Sequence, residues 1–436
     1  MKIIIFGDDE GIAQLLNHVP KKNVIAIVGA QNRPQFHLKL QSIANKFQIP
    51  LLIQPPLGIK AYAEFRTTIL NLCPDLYFIN SYSMHVGQEL LDIPTRGGIN
   101  LHSALLPKNR GANPIQWAII KGENETGVTL HELVDELDAG PIIAQDSTPI
   151  FFEDTWLTVR ERVFNISEKI LSANIPKIIE GTWKSHAQNN YLSSLNSRRK
   201  AAASEFTWDD SIFNIYNKIR ALIPPMPAAF SIDADGTKEI FNEVLSPMHL
   251  TVLKFLRSKV IGGYSKGSHV QIRPLAKEDS SILFEWINCR DTFVFNSQFK
   301  PPSNKQERNQ WIKTALFKRK DLVIFAIEEI KTGETIGTCK FIEINWQNRS
   351  AQLQIHVVDE KYLETSYTSD SIELLCNFGY TDLNLNRIFS HVRESNQNVV
   401  DAFKKVGFEV EGLMGDASYI EDKFENFVLV SILRGH

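Results

Sequence analysis

Cysteine is scarce in this chain and shows no pattern. Cys73, Cys289, Cys339 and Cys376 are scattered over 436 residues, with no CxxC and no paired spacing. A zinc or disulfide framework is thereby excluded, and the four read as core thiols of a reducing compartment. An excess of charge is missing too: 47 Lys and Arg stand against 50 Asp and Glu, a net charge of −3. That balance argues against a large nucleic-acid surface. Long apolar runs are absent from the start, where MKIIIF gives six residues before the charged turn GDDEG. Such a start is expected to be neither a signal peptide nor a membrane span, and a cytoplasmic protein follows. The same turn lacks the GxGxxG spacing of a dinucleotide site, so Asp8 and Asp9 read as helix-start residues.

What is present is a chain of ordinary globular composition, 43% hydrophobic and 22% charged, long enough for two or three domains. Lys2–Phe6, Asn23–Gly29, Leu51–Ile53 and Asp75–Asn80 read as strands. Helical patterns at 10–18, 36–47 and 60–72 separate them. Strands alternating with helices predict a doubly wound parallel sheet. In such a sheet the site lies at the carboxyl ends of the strands, where Ser81–Gly87 and Gly98–Pro107 fall. An amphipathic helix, Trp156–Glu180, closes this domain, and Gly181–Ser197 is polar and loop-like. Arg198-Arg199-Lys200 is a basic run on a solvated face.

The most informative stretch is Gly97–Gln145. Asn100 and His102 stand two apart, so an extended chain points both to one face. Asp138 arrives from the later loop LDAG. Amide, imidazole and carboxylate are what acyl transfer to an amine requires: an oxyanion donor, a proton shuttle and a group to orient the shuttle. Singly, Asn100 suits a turn, His102 a satisfied core position and Asp138 a cap. Their joint occurrence reverses that reading. His131 is taken as structural, and Trp117, Ile119 and Ile120 as core.

With its Leu-Leu-Pro turn, Arg110-Gly111, Pro114 and Thr126-Gly127-Val128-Thr129-Leu130-His131, this stretch resembles the 10-formyltetrahydrofolate-dependent formyltransferases. Their hallmark is an Asn-x-His and a distant Asp within SLLPxxRGxxP and TGVTxHxxxxxxDxGxI. The resemblance implies catalytic roles for Asn100, His102 and Asp138. Asn100 and the imidazole would donate to the oxyanion, His102 would carry the amine proton, and Asp138 would fix the imidazole tautomer. It implies a folate cleft between Met84, His85 and Val86 on one side and Val134, Asp135, Glu136 and Leu137 on the other. Ser204–Phe230, with a helix ending at Ala221-Leu222 before Pro224-Pro225, resembles the segment that leads into the family's small C-terminal barrel. Too little chain follows for a complete barrel.

Gly262–Ser268 reads as a turn-rich linker. Beyond it lie a strand at Val270–Leu275, helices carrying Trp286 and Trp311, and two hairpin strands around Lys331-Thr332-Gly333. IRPLAKED, WINCRD, ETIGTCKF and NQNVVDAFKKVGF make this tail resemble the GNAT acetyltransferases, most of all the branch acting on amino-sugar nucleotides. Leu363–Thr368 occupies the place of the family's glycine-containing pyrophosphate loop. Both glycines are replaced by hydroxyl residues, and Glu364 adds a like charge. Phe403 stands where a proton-donating Tyr is often found. Weak or absent acetyl-CoA binding is therefore expected, although an active second centre stays open.

The sequence thus predicts an α/β chain in three parts. Residues 1–190 would form a formyltransferase domain with a doubly wound parallel sheet. Residues 198–262 would be a short truncated barrel-like segment and linker, and residues 268–436 a GNAT-type α+β domain. The resemblance implies formyl transfer from 10-formyltetrahydrofolate to a nucleotide-linked amino sugar, in surface-polysaccharide or sialic-acid-like sugar biosynthesis. No metal, membrane or nucleic-acid partner is expected, and homo-oligomerisation stays open. A methionyl-tRNA formyltransferase, a bifunctional formyltransferase/acetyltransferase and a binding protein with lapsed catalysis are the alternatives.

Overall fold

The computed structural model of the protein describes residues 1–8, 11–258, 265–288, 304–362, 365–420 and 423–435. Asp9, Cys289, the Gly262–Tyr264 part of the expected linker, and Leu363 and Glu364 lie outside the described residues. The chain forms two compact units, Met1–Ala203 and Ser204–His436.

The first unit runs β1 (Ile3–Phe6), α1 (Gly11–His18), β2 (Val24–Ala30), α2 (His37–Phe47), β3 (Leu51–Gln54), α3 (Lys60–Leu72), β4 (Leu76–Asn80) and α4 (Gln88–Leu91). It continues with β5 (Gly98–His102), β6 (Arg110–Gly111), α5 (Pro114–Ile120), β7 (Glu125–Glu132), β8 (Ile142–Pro149), α6 (Trp156–Glu180) and β9 (Leu195–Asn196). The main sheet has the order β3-β2-β1-β4-β5-β7-β8. Its first five strands are parallel, and β7 and β8 add an antiparallel edge. Strands β1 and β4 are buried along their whole length, as their unbroken apolar runs require for a sheet covered on both faces. Phe6, Tyr77 and Ile79 pack with Tyr62, Phe65 and Ile69 of α3. Each such side chain contributes about 1.5–3 kcal/mol by leaving water. Helix α6 stops at Gly181, whose φ of 75° is the left-handed end that glycine supplies readily.

Asp8 is not a helix cap. Its carboxylate accepts from the N–H of Ala30 at 3.0 Å and of Ser83 at 2.7 Å, tying the end of β2 to the loop after β4. Cys73, which ends α3 in a left-handed conformation, is exposed, while Cys339 and Cys376 are buried. Trp117 is half-buried, its indole N–H donating to the Ser197 carbonyl at 3.3 Å. Arg199 is half-buried as well, so the basic run is not a uniformly solvated face. The polar segment after α6 is an ordered strap: β9 pairs with β6, and His186 bridges to Ile142.

The second unit runs α7 (Ile212–Ala221), β10 (Ala229–Ile232), β11 (Lys238–Phe241), α8 (Pro247–Arg257), β12 (Val270–Pro274), α9 (Ser280–Asn288), α10 (Lys305–Phe317) and β13 (Val323–Glu329). Then come β14 (Thr335–Asn345), β15 (Ser350–Val357), α11 (Thr365–Thr381), β16 (Arg387–Arg393), α12 (Gln397–Val406), β17 (Glu409–Ile420) and β18 (Lys423–Leu433). Its large sheet has the order β12-β13-β14-β15-β16-β18-β17. Among the described residues β10 and β11 form only a two-stranded sheet, not a closed barrel. The α7 and α8 pair belongs to this unit: Lys254 on α8 reaches Asp382 at 2.7 Å, both side chains at most 5% exposed, and Met248 accepts from the Ile324 N–H at 3.4 Å.

Among the described residues, strands β15 and β16 are the sheet's one parallel pair, in register only from Ser350–Gln352 to Arg387–Phe389, after which the ladder stops. Thr365–Thr368, expected in a loop, are the first turn of α11. Phe403 is buried with its ring 4.8 Å from that of Phe408, so it faces core. Edge strand β17 carries exposed Leu413, Met414 and Tyr419. Its pairing with β18 shifts register between Val410 and Gly412 and again between Met414 and Ser418. Among the described residues, no helix is long and apolar enough to cross a membrane.

Candidate active site

Asn100 and His102 lie on β5 with one residue between them, so the pleat turns both to the same face. Strand β7 runs beside β5, placing His131 opposite Asn100 and Thr129 opposite His102. The chain leaves β7, crosses residues 133–141 and returns as β8. Asp138 sits in that crossing with φ of 52°.

The three expected groups meet, and a fourth joins them. The Asn100 Nδ2 donates to Asp138 Oδ1 at 3.2 Å and lies 3.1 Å from His131 Nε2. A carboxylate only accepts, so the atom of Asn100 that faces it must be the amino group. His131 Nδ1 is 2.8 Å from the Glu132 carbonyl and so carries a hydrogen, leaving Nε2 to accept from Asn100. His131 is 1% exposed, and its Nε2 lies 3.6 Å from Asp138 Oδ1. It is therefore part of the cluster. Sequence reasoning missed it because the register between β5 and β7, which sets it against Asn100, is not written in a local motif.

His102 is held from the other side. Its Nε2 lies 2.9 Å from the Asn109 carbonyl oxygen, and its Nδ1 lies 3.6 Å from Asp138 Oδ2. The carbonyl can only accept, so Nε2 is the protonated nitrogen and Nδ1 the one open to a proton. The tautomer is thus set by Asn109, not by Asp138 as the sequence suggested. Asn109 turns its carbonyl inward with φ of 57°, a conformation asparagine tolerates better than most residues. Its buried side chain bonds Glu123, Lys121 and Asn196 at 2.8–3.0 Å.

Asp138 feels opposing influences. Burial by itself raises its carboxyl, but His102, His131 and a 2.8 Å hydrogen bond from the Gly111 N–H outweigh it. The net result holds Asp138 well below the usual carboxylate range. An ionised carboxylate beside two imidazoles stabilises positive charge wherever a proton lands.

The expected folate loops flank this cluster. His85 Nε2 lies 3.6 Å from Asp135 Oδ1, which brings the two loops together. Gln54 secures the first loop, donating to the His85 carbonyl at 3.1 Å and accepting from the Tyr82 hydroxyl at 2.8 Å. Val134 and Leu137 are 42% and 52% exposed. Glu136 accepts from Arg110 Nη1 at 3.0 Å. Met84 is half-buried, and the Val86 side chain is buried in the core cluster that includes Leu90. Among the described residues, no group of three or more His, Cys, Asp or Glu could hold a metal ion.

Residues 1–175 match the family model for formyl transferases, and residues 269–409 match that for acetyltransferase (GNAT) domains. Among solved structures, a sugar N-formyltransferase from a Shewanella species is 20% identical; the match covers 56% of this chain and 97% of that one, with a TM-score of 0.48. A 4-N formyltransferase from Francisella tularensis is 20% identical over 55% of this chain and 95% of its own, with a TM-score of 0.47. A spermidine N-acetyltransferase from Vibrio cholerae is 23% identical over 38% of this chain and 97% of its own, with a TM-score of 0.36. The chain joins a formyl transferase domain at its N-terminal end to an acetyltransferase (GNAT) domain nearer its C-terminus.

Proposed function

We propose that the first unit transfers a formyl group from 10-formyltetrahydrofolate to the amine of a nucleotide-linked amino sugar. The observation that carries this reading is the Asn100–His102–Asp138 cluster, with His102 Nδ1 presented as the proton acceptor. The attacking amine must lose a proton as its new bond to the formyl carbon forms, and His102 Nδ1 would take it and pass it to the folate nitrogen that departs as the old bond to that carbon breaks. Asp138, 3.6 Å away, stabilises the imidazolium so produced. The Asn100 amino group donates to the oxygen that gains charge. To do so it exchanges its hydrogen bond to His131 and keeps the one to charged Asp138.

The residues around the cluster suit a folate. The backbone groups of Val134, Asp135 and Leu137 take no hydrogen bond among the described residues, so they can read the amide-like edge of a pterin. The exposed side chains of Val134 and Leu137 offer it an apolar wall. When bound, the folate supplies the activated formyl group. The acceptor reading rests on the sequence resemblance, on the net charge of −3 and on the missing barrel, which count against tRNA. Surface-polysaccharide or sialic-acid-like sugar synthesis is where such a product belongs. In the second unit the replaced pyrophosphate loop supports weak acetyl-CoA binding, with a role in holding sugar nucleotide or in assembly.

The test is incubation with 10-formyltetrahydrofolate and a panel of nucleotide-linked 3-amino and 4-amino sugars, read by mass. Gain of one formyl group by one sugar, with no retention of tRNA on filters, is the expected result. Transfer to methionyl-tRNA instead would replace the acceptor assignment.

A further inference from the structure

The strap that follows α6 crosses both stretches of chain that carry the site, and one side chain joins them. The Gln188 amide uses its full hydrogen-bonding capacity. Its Nε2 donates to the Asp138 carbonyl at 2.8 Å and to the Gly140 carbonyl at 2.7 Å. Its Oε1 accepts from Arg110 Nη2 at 2.8 Å and from Arg110 Nε at 3.2 Å. Arg110, with a side chain 5% exposed, is the neighbour of Gly111, whose N–H holds the Asp138 carboxylate at 2.8 Å. The contacts close a ring: Gln188 to the Asp138 backbone, the Asp138 carboxylate to Gly111, and Arg110 back to Gln188.

We infer that Gln188 is a positioning residue that sets the Asp138 carboxylate between His102 and His131. Asp138 needs such a restraint. It lies in a loop with φ of 52°, a conformation that costs an aspartate energy. Beside it, Gly140 packs so closely on β7 that a side chain there would run into the Glu132 carbonyl oxygen. With both carbonyls of the turn held by one amide, the carboxylate stands 3.6 Å from each imidazole. Without that amide the turn relaxes, and the carboxylate drifts while the rest of the strap stays paired through β6 and β9. The contribution to turnover rests on the formyl-transfer reading above; the contribution to geometry does not.

The decisive variant is Gln188→Glu. It keeps length, shape and the contact with Arg110, where a carboxylate pairs at least as well. It loses both donors and points oxygen at two carbonyls. A residue that merely held the strap to Arg110 would tolerate the change. A residue that positions Asp138 would not. Gln188→Ala is the companion variant, and Asn190→Ala, which removes only a 2.6 Å hydrogen bond to Arg110, is the control. The full-length protein is labelled with ¹⁵N-histidine, and the ring signals of His102 and His131 are assigned with His102→Asn and His131→Asn. For Gln188→Glu and Gln188→Ala both sets of signals shift, and kcat falls about 10- to 100-fold with the KM of donor and acceptor unchanged. Asn190→Ala leaves both readouts at wild type. Unshifted ring signals in Gln188→Glu, or a loss expressed in KM alone, would overturn the inference. If the wild type formylates nothing in the panel, the activity reading falls, and the ring signals alone decide the role of Gln188.

Discussion

Replacing Asp138 by Asn is the most discriminating change at the cluster, because it keeps the shape while removing the charge and, with it, the hydrogen bond that Oδ1 accepts from Asn100. The amide oxygen of Asn can still accept from the Gly111 N–H, so the loop keeps its anchor. What disappears is a negative charge 3.6 Å from His102 Nδ1, in a place where both side chains are 9% exposed. At an effective dielectric of about 20 that charge stabilises a full imidazolium by roughly 4–5 kcal/mol, about 10³-fold in rate. If the ring holds half its charge at the transition state, the loss is about 2 kcal/mol, or about 30-fold. Asp138→Asn is therefore expected to lower kcat between about 30- and 10³-fold, with folate affinity measured by calorimetry unchanged. Turnover within threefold of wild type would refute the claim that Asp138 stabilises a proton on His102. The same substitution has a signature in stability. Because the carboxyl is held below its unfolded value, its contribution is present above about pH 3.9 and is lost as the pH falls further. Acid unfolding of Asp138→Asn should lack that component, while the wild type shows it.

Val134→Trp fills the proposed pterin wall and should raise the folate KM several-fold without lowering the melting temperature; unchanged folate binding would misplace the cleft. His102→Ala removes the shuttle and should cost on the order of 10²–10⁴ in kcat, measured as tetrahydrofolate release. Lys254→Met leaves Asp382 charged and buried in the second unit, so denaturant unfolding of that unit should show a loss of about 3–5 kcal/mol; a loss under 1 kcal/mol would mean that α8 merely rests on it. Titration of the full chain with acetyl-CoA should give no saturable heat at micromolar concentration, and saturation there would restore the second centre to consideration.

The sequence carried most of the first unit because its signals are local. Runs such as IIIF and LYFIN, and the single amphipathic stretch Trp156–Glu180, set strands and helix within a residue or two. Asn100 and His102 were legible as a pair because the period of a strand places them together. His131 and Asn109 were not, for opposite reasons. The first depends on which residue of a neighbouring strand lies opposite, the second on a backbone carbonyl that no side-chain pattern reveals. Asp8 looked like a cap because Asp before a helix usually is one, yet long-range backbone donors from Ala30 and Ser83 compete for its carboxylate and win. The strap at 186–197 reads as polar loop because its order comes from hydrogen bonds to distant loops, not from apolar periodicity.

Edge strand β17 offers a different lesson. A twelve-residue strand that pairs on one side only among the described residues, with exposed Leu413, Met414 and Tyr419, is the kind of surface onto which a foreign strand can add, chain upon chain. The two register shifts against β18 divide it, so its longest regular stretches are the three-residue segments Gly412–Met414 and Ser418–Ile420. Glu409 and Asp416 are exposed on the same strand and meet a second copy with like charge, whereas Glu411 is paired with Arg387. An incoming strand must break step twice within twelve residues, which caps the templating that so apolar an edge would otherwise promote.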